Sequence, residues 1–100
     1  MIILKAGSSF KPLFTCGALL FTPGVDALVR SQKINPFHYF GRHLRGDWGD
    51  LCEDDLKANA DALISGTRLL SSYLIEPEFK LWIITEADRS ATTLLLPEEY

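Results

Sequence analysis

The apolar positions of this chain change their period near Gly66. Before it they recur at helical spacing, and after it they fall into short strand-like runs. Three helices are predicted in the first part. Thr22-Pro23 opens one: a Thr hydroxyl can accept from a free first-turn amide, and Pro suits the first helical position because an N–H there has no partner. Val25, Leu28 and Val29 form its apolar stripe, and its end is expected near Ser31. Asn35-Pro36 repeats the start signal. Phe37, Phe40 and Leu44 then share one face, His38, Arg42 and Arg45 share a second, wet face, and Gly46 stops the helix. The third helix follows Asp50, which is expected at its start. Glu53, Asp54 and Asp55 crowd the first turn, where the helix dipole favours negative charge. Leu56, Ala60 and Leu63 are expected on its buried side, and Gly66 closes it.

Beyond Gly66, residues 68–75, 79–85 and 92–96 are rich in β-branched, aromatic and aliphatic side chains. The short connections around Pro77 and through residues 86–90 predict an antiparallel meander. Leu69, Tyr73, Leu81, Ile83, Leu94 and Leu96 are expected on one face, with Trp82 and Ile84 on the other. At the opposite end of the chain, Met1-Ile2-Ile3-Leu4 suits a short strand or a frayed end. Residues 13–21 suit a second strand, weakened by Gly17. The class is therefore α+β: short N-terminal strands, about three helices, then a three-stranded antiparallel meander packed on them. Residues 1–100 make a single domain, with 1–17 peripheral.

Composition narrows the function classes. A hydrophobic share of 47% is globular and speaks against disorder. A net charge of -3 argues against specific duplex DNA binding, which needs a concentrated basic face. The longest apolar run is too short to cross a bilayer, and no signal peptide is visible. Cys16 and Cys52 form no C-x-x-C pair, so no zinc or redox motif is present and a cytoplasmic setting with reduced thiols is expected.

Two strings stand out: Gly46-Asp47-Trp48-Gly49-Asp50-Leu51, and Trp82-Ile83-Ile84-Thr85-Glu86-Ala87-Asp88-Arg89-Ser90, continued by Thr92-Thr93-Leu94-Leu95-Leu96-Pro97. On these motifs the chain resembles a family of small bacterial proteins carried on plasmids and integrative elements. The likeness covers roughly Thr22 to Tyr100, with residues 1–17 outside it. It implies a mobile element in a bacterial cytoplasm and brings no activity and no catalytic residue with it.

His43 with Asp47 or Asp50 is a candidate base with its orienting carboxylate. The alternative is architectural: a His at a helix C-terminus suits the dipole, and an Asp before a helix is a cap. Trp48 is either an exposed anchor for a partner or a plug beneath its loop. Glu86, Asp88 and Arg89 suit a small ribonuclease site. The tract loosely resembles the C-terminal hairpin of barnase-like ribonucleases, without the histidine they carry there. Its alternative is a polar loop with a local Asp88–Arg89 pair. Cys52, near a helix start, is a weak nucleophile candidate with no supporting base.

The leading expectation is a non-enzymatic protein-interaction or regulatory module, monomeric or a small homo-oligomer, with no metal and no cofactor. Its contact surface is placed on residues 46–51, with Asp47, Trp48, Asp50 and Asp88 as binding residues. The alternatives are a small hydrolase or nuclease using His43, Asp47 and Asp50 or Glu86 and Arg89, and an acidic inhibitor of a host defence system.

Overall fold

The computed structural model describes residues 11–76 and 79–100. Its elements run β1 (Ala18–Phe21), α1 (Pro23–Arg30), α2 (Pro36–Leu44), α3 (Glu53–Ser65), β2 (Leu69–Glu76), β3 (Phe79–Thr85) and β4 (Ala91–Leu95), closed by a short 3-10 turn, Pro97–Glu99. The strand expected over Met1–Leu4 lies outside the described residues.

The helix signals act as their chemistry predicts. The Thr22 hydroxyl accepts from the Val25 amide, and Asn35 Oδ1 accepts from the Phe37 amide. Gly66 takes the left-handed conformation, φ 78°, that ends α3. Asp50 does not cap α3: that position belongs to Cys52, whose side chain makes no cap bond.

The expected meander is present, because β2, β3 and β4 pair antiparallel in sequence order. The sheet is nevertheless four-stranded and mixed, in the order β1-β4-β3-β2, with β1 parallel to β4. A strand period cannot say which edge a segment will join. The outer amides and carbonyls of β4 need partners, and the segment before Thr22 supplies them.

Cross-strand partners point to one face, so the register sorts the side chains. Leu69, Ser71 and Tyr73 of β2 stand in rows with Thr85, Ile83 and Leu81 of β3, and Leu94 and Thr92 of β4 extend those rows. The helices cover this face. Val25, Ile34, Tyr73, Leu81, Ile83 and Leu94 form the main core. Trp48, Ala62 and Leu69 form a second cluster, flanked by Phe14 and Leu51.

Two faces of the helices depart from the expected pattern. In α2 the buried residues are Pro36, His43 and Leu44, while Phe37 is exposed. In α3 the buried residues are Asn59 and Ala62, and the predicted inner stripe of Leu56, Ala60 and Leu63 faces outward. The reason lies at the edge of β2. Asn59 Nδ2 donates to the Leu70 carbonyl at 2.6 Å, and the Leu70 amide donates to Asn59 Oδ1 at 3.1 Å. Unpaired strand-edge groups are costly to bury. Satisfying them turns α3 so that its amide, not its leucines, faces the sheet.

Candidate functional site

His43 occupies the last turn of α2, with none of its surface exposed. Its Nδ1 lies 2.5 Å from Ser71 Oγ and its Nε2 lies 2.9 Å from Thr85 Oγ1. Thr85 Oγ1 is 2.7 Å from Thr92 Oγ1, and the Thr92 hydroxyl donates to the Cys16 carbonyl at 2.8 Å. A carbonyl only accepts, so the direction of the whole chain follows. Thr92 spends its one hydrogen on Cys16, so Thr85 donates to Thr92. Thr85 therefore accepts from His43 Nε2–H, and Nδ1 accepts from the Ser71 hydroxyl.

This relay joins α2 to β2, β3, β4 and the segment leading into β1. It lies between the two apolar clusters, and Phe14 and Trp48 pack edge-on against the imidazole at 5.3 and 5.4 Å. Burial without a countercharge penalises the imidazolium, so the pKa falls from 6.5 to about 3. His43 is neutral at physiological pH. Both of its nitrogens are committed to hydroxyls, and neither meets Asp47 or Asp50.

Asp47, the first carboxylate of the loop, pairs with Arg42 in a two-pronged contact at 2.8 and 3.2 Å. The hydrogen bond from Arg42 holds the Asp47 carboxyl below its ordinary range. The Arg42 guanidinium also lies over the Tyr73 ring, 4.6 Å from its centroid. The Tyr73 hydroxyl donates to the Asp47 carbonyl at 2.6 Å, and burial raises that phenol to about 12.

The rest of the loop lies along β2 as a one-residue parallel bridge, Gly49 to Ser72. The Ser72 amide donates to the Trp48 carbonyl at 3.0 Å, and the Asp50 amide donates to the Ser72 carbonyl at 2.6 Å. One step along the edge, the Leu74 amide donates to Asp50 Oδ2 at 3.2 Å. Gly49 has φ 76°, and a Cβ there would collide with the Ser72 carbonyl, so only glycine permits this approach. Together with Asn59 at Leu70, the loop occupies the outward-pointing groups of β2 at three successive sites. Trp48 is the plug: it is 9% exposed and packs with Ala62 and Leu69.

The hairpin residues diverge. Asp88 Oδ1 accepts from the Ser90 amide at 3.0 Å, closing the turn, and the hydrogen bonds from Ser90 lower its pKa. Arg89 turns the other way, from a backbone with φ 61°. Its Nη1 donates to the Thr67 carbonyl at 2.6 Å and its Nη2 to the Ala62 carbonyl at 3.0 Å. It thus binds one carbonyl in the last turn of α3, where the dipole favours a cation, and one in the connection that follows the helix. In place of an Asp88–Arg89 pair, Asp88 accepts from Ser90 while Arg89 is bound to backbone carbonyls, those of Glu86 and Ala87 in its own turn included. Glu86 is exposed, with its backbone engaged across the hairpin to Ala91.

Sequence reasoning missed two groups of residues. Ser71, Thr85 and Thr92 read as ordinary strand positions, and no local pattern marks a hydroxyl that will meet a histidine from a distant helix. Glu99 also went unread. Its Oε1 accepts from the Thr22 hydroxyl at 2.5 Å and from the Leu96 amide at 2.9 Å, and its Oε2 accepts from the Gly24 amide at 2.8 Å. The bond from Thr22 is the largest cause of its lowered pKa. A carboxylate from the end of the chain thereby serves the N-terminus of α1.

Among the described residues, no three His, Cys, Asp or Glu side chains converge as a metal site would require, and no helix is long and apolar enough to cross a membrane. A depression of about 590 Å³ is lined by residues 12–17 and Leu44, with none of the candidate residues in its wall. The chain matches no family model, no curated protein and no solved structure in comparisons with each.

Proposed function

We propose that this chain is a non-enzymatic protein-interaction module of a bacterial mobile element, working in the cytoplasm. The observation that carries the reading is the outward side of α3. Leu56, Ala60, Leu63 and Ile64 follow one another at i, i+4, i+7 and i+8, the spacing of an apolar helix face, yet they face outward. Ile64 is 89% exposed. Such a stripe on a helix surface marks a contact site.

The state of the polar candidates supports the same reading. His43 is enclosed, Arg89 is spent on carbonyls, and Asp47 is held by Arg42. A general base needs hydrogen-bond reach to a substrate, and His43 has both nitrogens bound inside the core. The reading moves the contact surface from residues 46–51, where Trp48 is buried, to α3.

The test is a photo-cross-linking amino acid at position 64, with position 88 as the control, in the bacterial cytoplasm. The expected result is a covalent protein adduct at 64 and none at 88. Absence of any adduct at 64 overturns the proposal.

A further inference from the structure

We infer that the open edge of β1 is a docking site for an extended segment of another protein, which adds a fifth strand to the sheet and seats an aromatic side chain in the groove between β1, α1 and α2. The site is at the opposite edge of the sheet from β2, where α3 is bonded, so it is separate from the contact proposed above.

The first observation is the backbone. The Ala18 amide donates to the Ser90 carbonyl at 3.0 Å and the Thr22 amide to the Leu94 carbonyl at 3.1 Å, so Ala18 and Leu20 turn their polar groups toward β4. The amides and carbonyls of Leu19 and Phe21 point the other way, and among the described residues no backbone group meets them. The two edges of the sheet differ in this. At β2 the Trp48 carbonyl, the Asp50 amide and the Asn59 side chain occupy the outward groups. β1 reads Ala-Leu-Leu-Phe, with no charge, proline or bulge to discourage pairing, and Leu20 is 48% exposed. Outward amides and carbonyls at every second residue are answered by another extended chain.

The second is a groove of about 400 Å³ beside that edge. Its apolar wall is Phe21, Val29, Ile34, Pro36 and Phe37, and Phe37 is 46% exposed. The turn that closes α1 brings Gln32 and Lys33 to the same groove. The Gln32 amide donates to the Val29 carbonyl and the Lys33 amide to the Leu28 carbonyl, a pattern that takes a left-handed residue at position 32. Glycine is favoured there, yet the residue is Gln32, at φ 61°. It gives the groove wall an amide that glycine would not. Among the described residues Lys33 has no ion pair. The occupant therefore carries an aromatic side chain for the groove and, two residues away on the same face of its strand, a carboxylate for Lys33.

A second copy of this chain does not meet both demands. Paired through β1, it would bring Leu19 and Phe21 to the helix side of the sheet, and those side chains already pack against the core of their own protomer. The groove would stay empty. Two outward residues on each strand also give only about four backbone bonds, each of small net value. A segment that fills the groove adds apolar burial to the same bonds.

A heteronuclear NMR titration of the full chain with the peptide acetyl-Thr-Asp-Thr-Phe-Thr-Asp-Thr-amide, to about 2 mM, tests this. In either direction the peptide sets a carboxylate two residues from its Phe. The Leu19 and Phe21 amides should shift downfield and gain exchange protection, and the methyls of Val29 and Ile34 should shift with them. Replacing the peptide's Phe by Ala should weaken binding at least tenfold. N-methylation of alternate peptide amides should abolish binding for one set and spare it for the intervening set, because a strand pairs along one edge. Gln32→Gly should keep the native urea midpoint or raise it, yet weaken peptide binding at least threefold. Lys33→Glu should weaken binding to a similar degree. No shift at Leu19 and Phe21, shifts confined to α3, or binding that tolerates both methylated sets overturns the proposal. So does protection of both amides in the dilute free chain, which assigns the edge to the chain itself, or protection that grows with protein concentration alone, which assigns it to a second copy. None of these results bears on the position-64 cross-link, so each surface stands or falls by its own experiment.

Discussion

Acidification should destabilise this protein through one residue before its carboxylates begin to contribute. His43 is buried and neutral, with a folded pKa of about 3 against an ordinary 6.5. Below pH 6.5 the unfolded chain takes up a proton that the folded chain refuses. Stability is therefore complete above pH 6.5 and declines as the pH falls toward 3. Each pH unit inside that window costs roughly 1.4 kcal/mol, so moving from neutrality to pH 5 should cost about 2 kcal/mol. That is a large share of the roughly 5–15 kcal/mol that a domain possesses. The carboxyls of Asp47, Asp88 and Glu99 are all held below their ordinary values of 3.8, 3.8 and 4.5, so their losses come at lower pH. The interval from pH 6.5 to 5 thus isolates the imidazole. The assay is urea denaturation at half-unit pH steps, for the native chain and for His43→Gln. The variant keeps an amide in the core but cannot titrate. It should be less stable at pH 7 by about 1–3 kcal/mol, because part of the Ser71–Thr85 relay is lost, and its stability should be nearly level from pH 6.5 to 5. Equal slopes in the two proteins would refute the reasoning. A His43 imidazole found by NMR to titrate near 6.5 would refute it too, and the same spectra should show the proton on Nε2.

Further consequences concern the β2 edge and the α1 cap. Gly49→Ala should destabilise by at least about 2 kcal/mol, because both the positive φ and the approach to Ser72 exclude a Cβ; an unchanged urea midpoint would contradict this. Asn59→Ala should cost about 2 kcal/mol by removing both bonds to Leu70, with hydrogen exchange of the Leu70 amide as the local readout. Trp48→Ala should cost about 3–5 kcal/mol, whereas Asp47→Ala should cost under about 1 kcal/mol, since the Asp47 carboxylate is half exposed. Reversed magnitudes would return the loop to the role of a surface site. Glu99→Gln should speed amide exchange at Gly24 and Leu96, and native protein should show the same change as the pH falls through the lowered Glu99 pKa.

Local chemistry accounts for much of this molecule. Thr22-Pro23 and Asn35-Pro36 start helices because their side chains and missing amides answer needs within a few residues. The turn at Gly66 and the two faces of the C-terminal strands follow equally from short-range sterics and a period of two. The α+β class was legible on those grounds. Partnerships across distance were not. The register of β1 on β4, the burial of His43 against Ser71 and Thr85, and the turning of Arg89 onto α3 each join residues far apart in the chain. The outward rotation of Leu56 and Leu63 shows the same thing most directly. Their helical period is present in the chain, but Asn59 faces inward because two backbone groups of β2 must be satisfied there, and that demand exists only once the sheet is built.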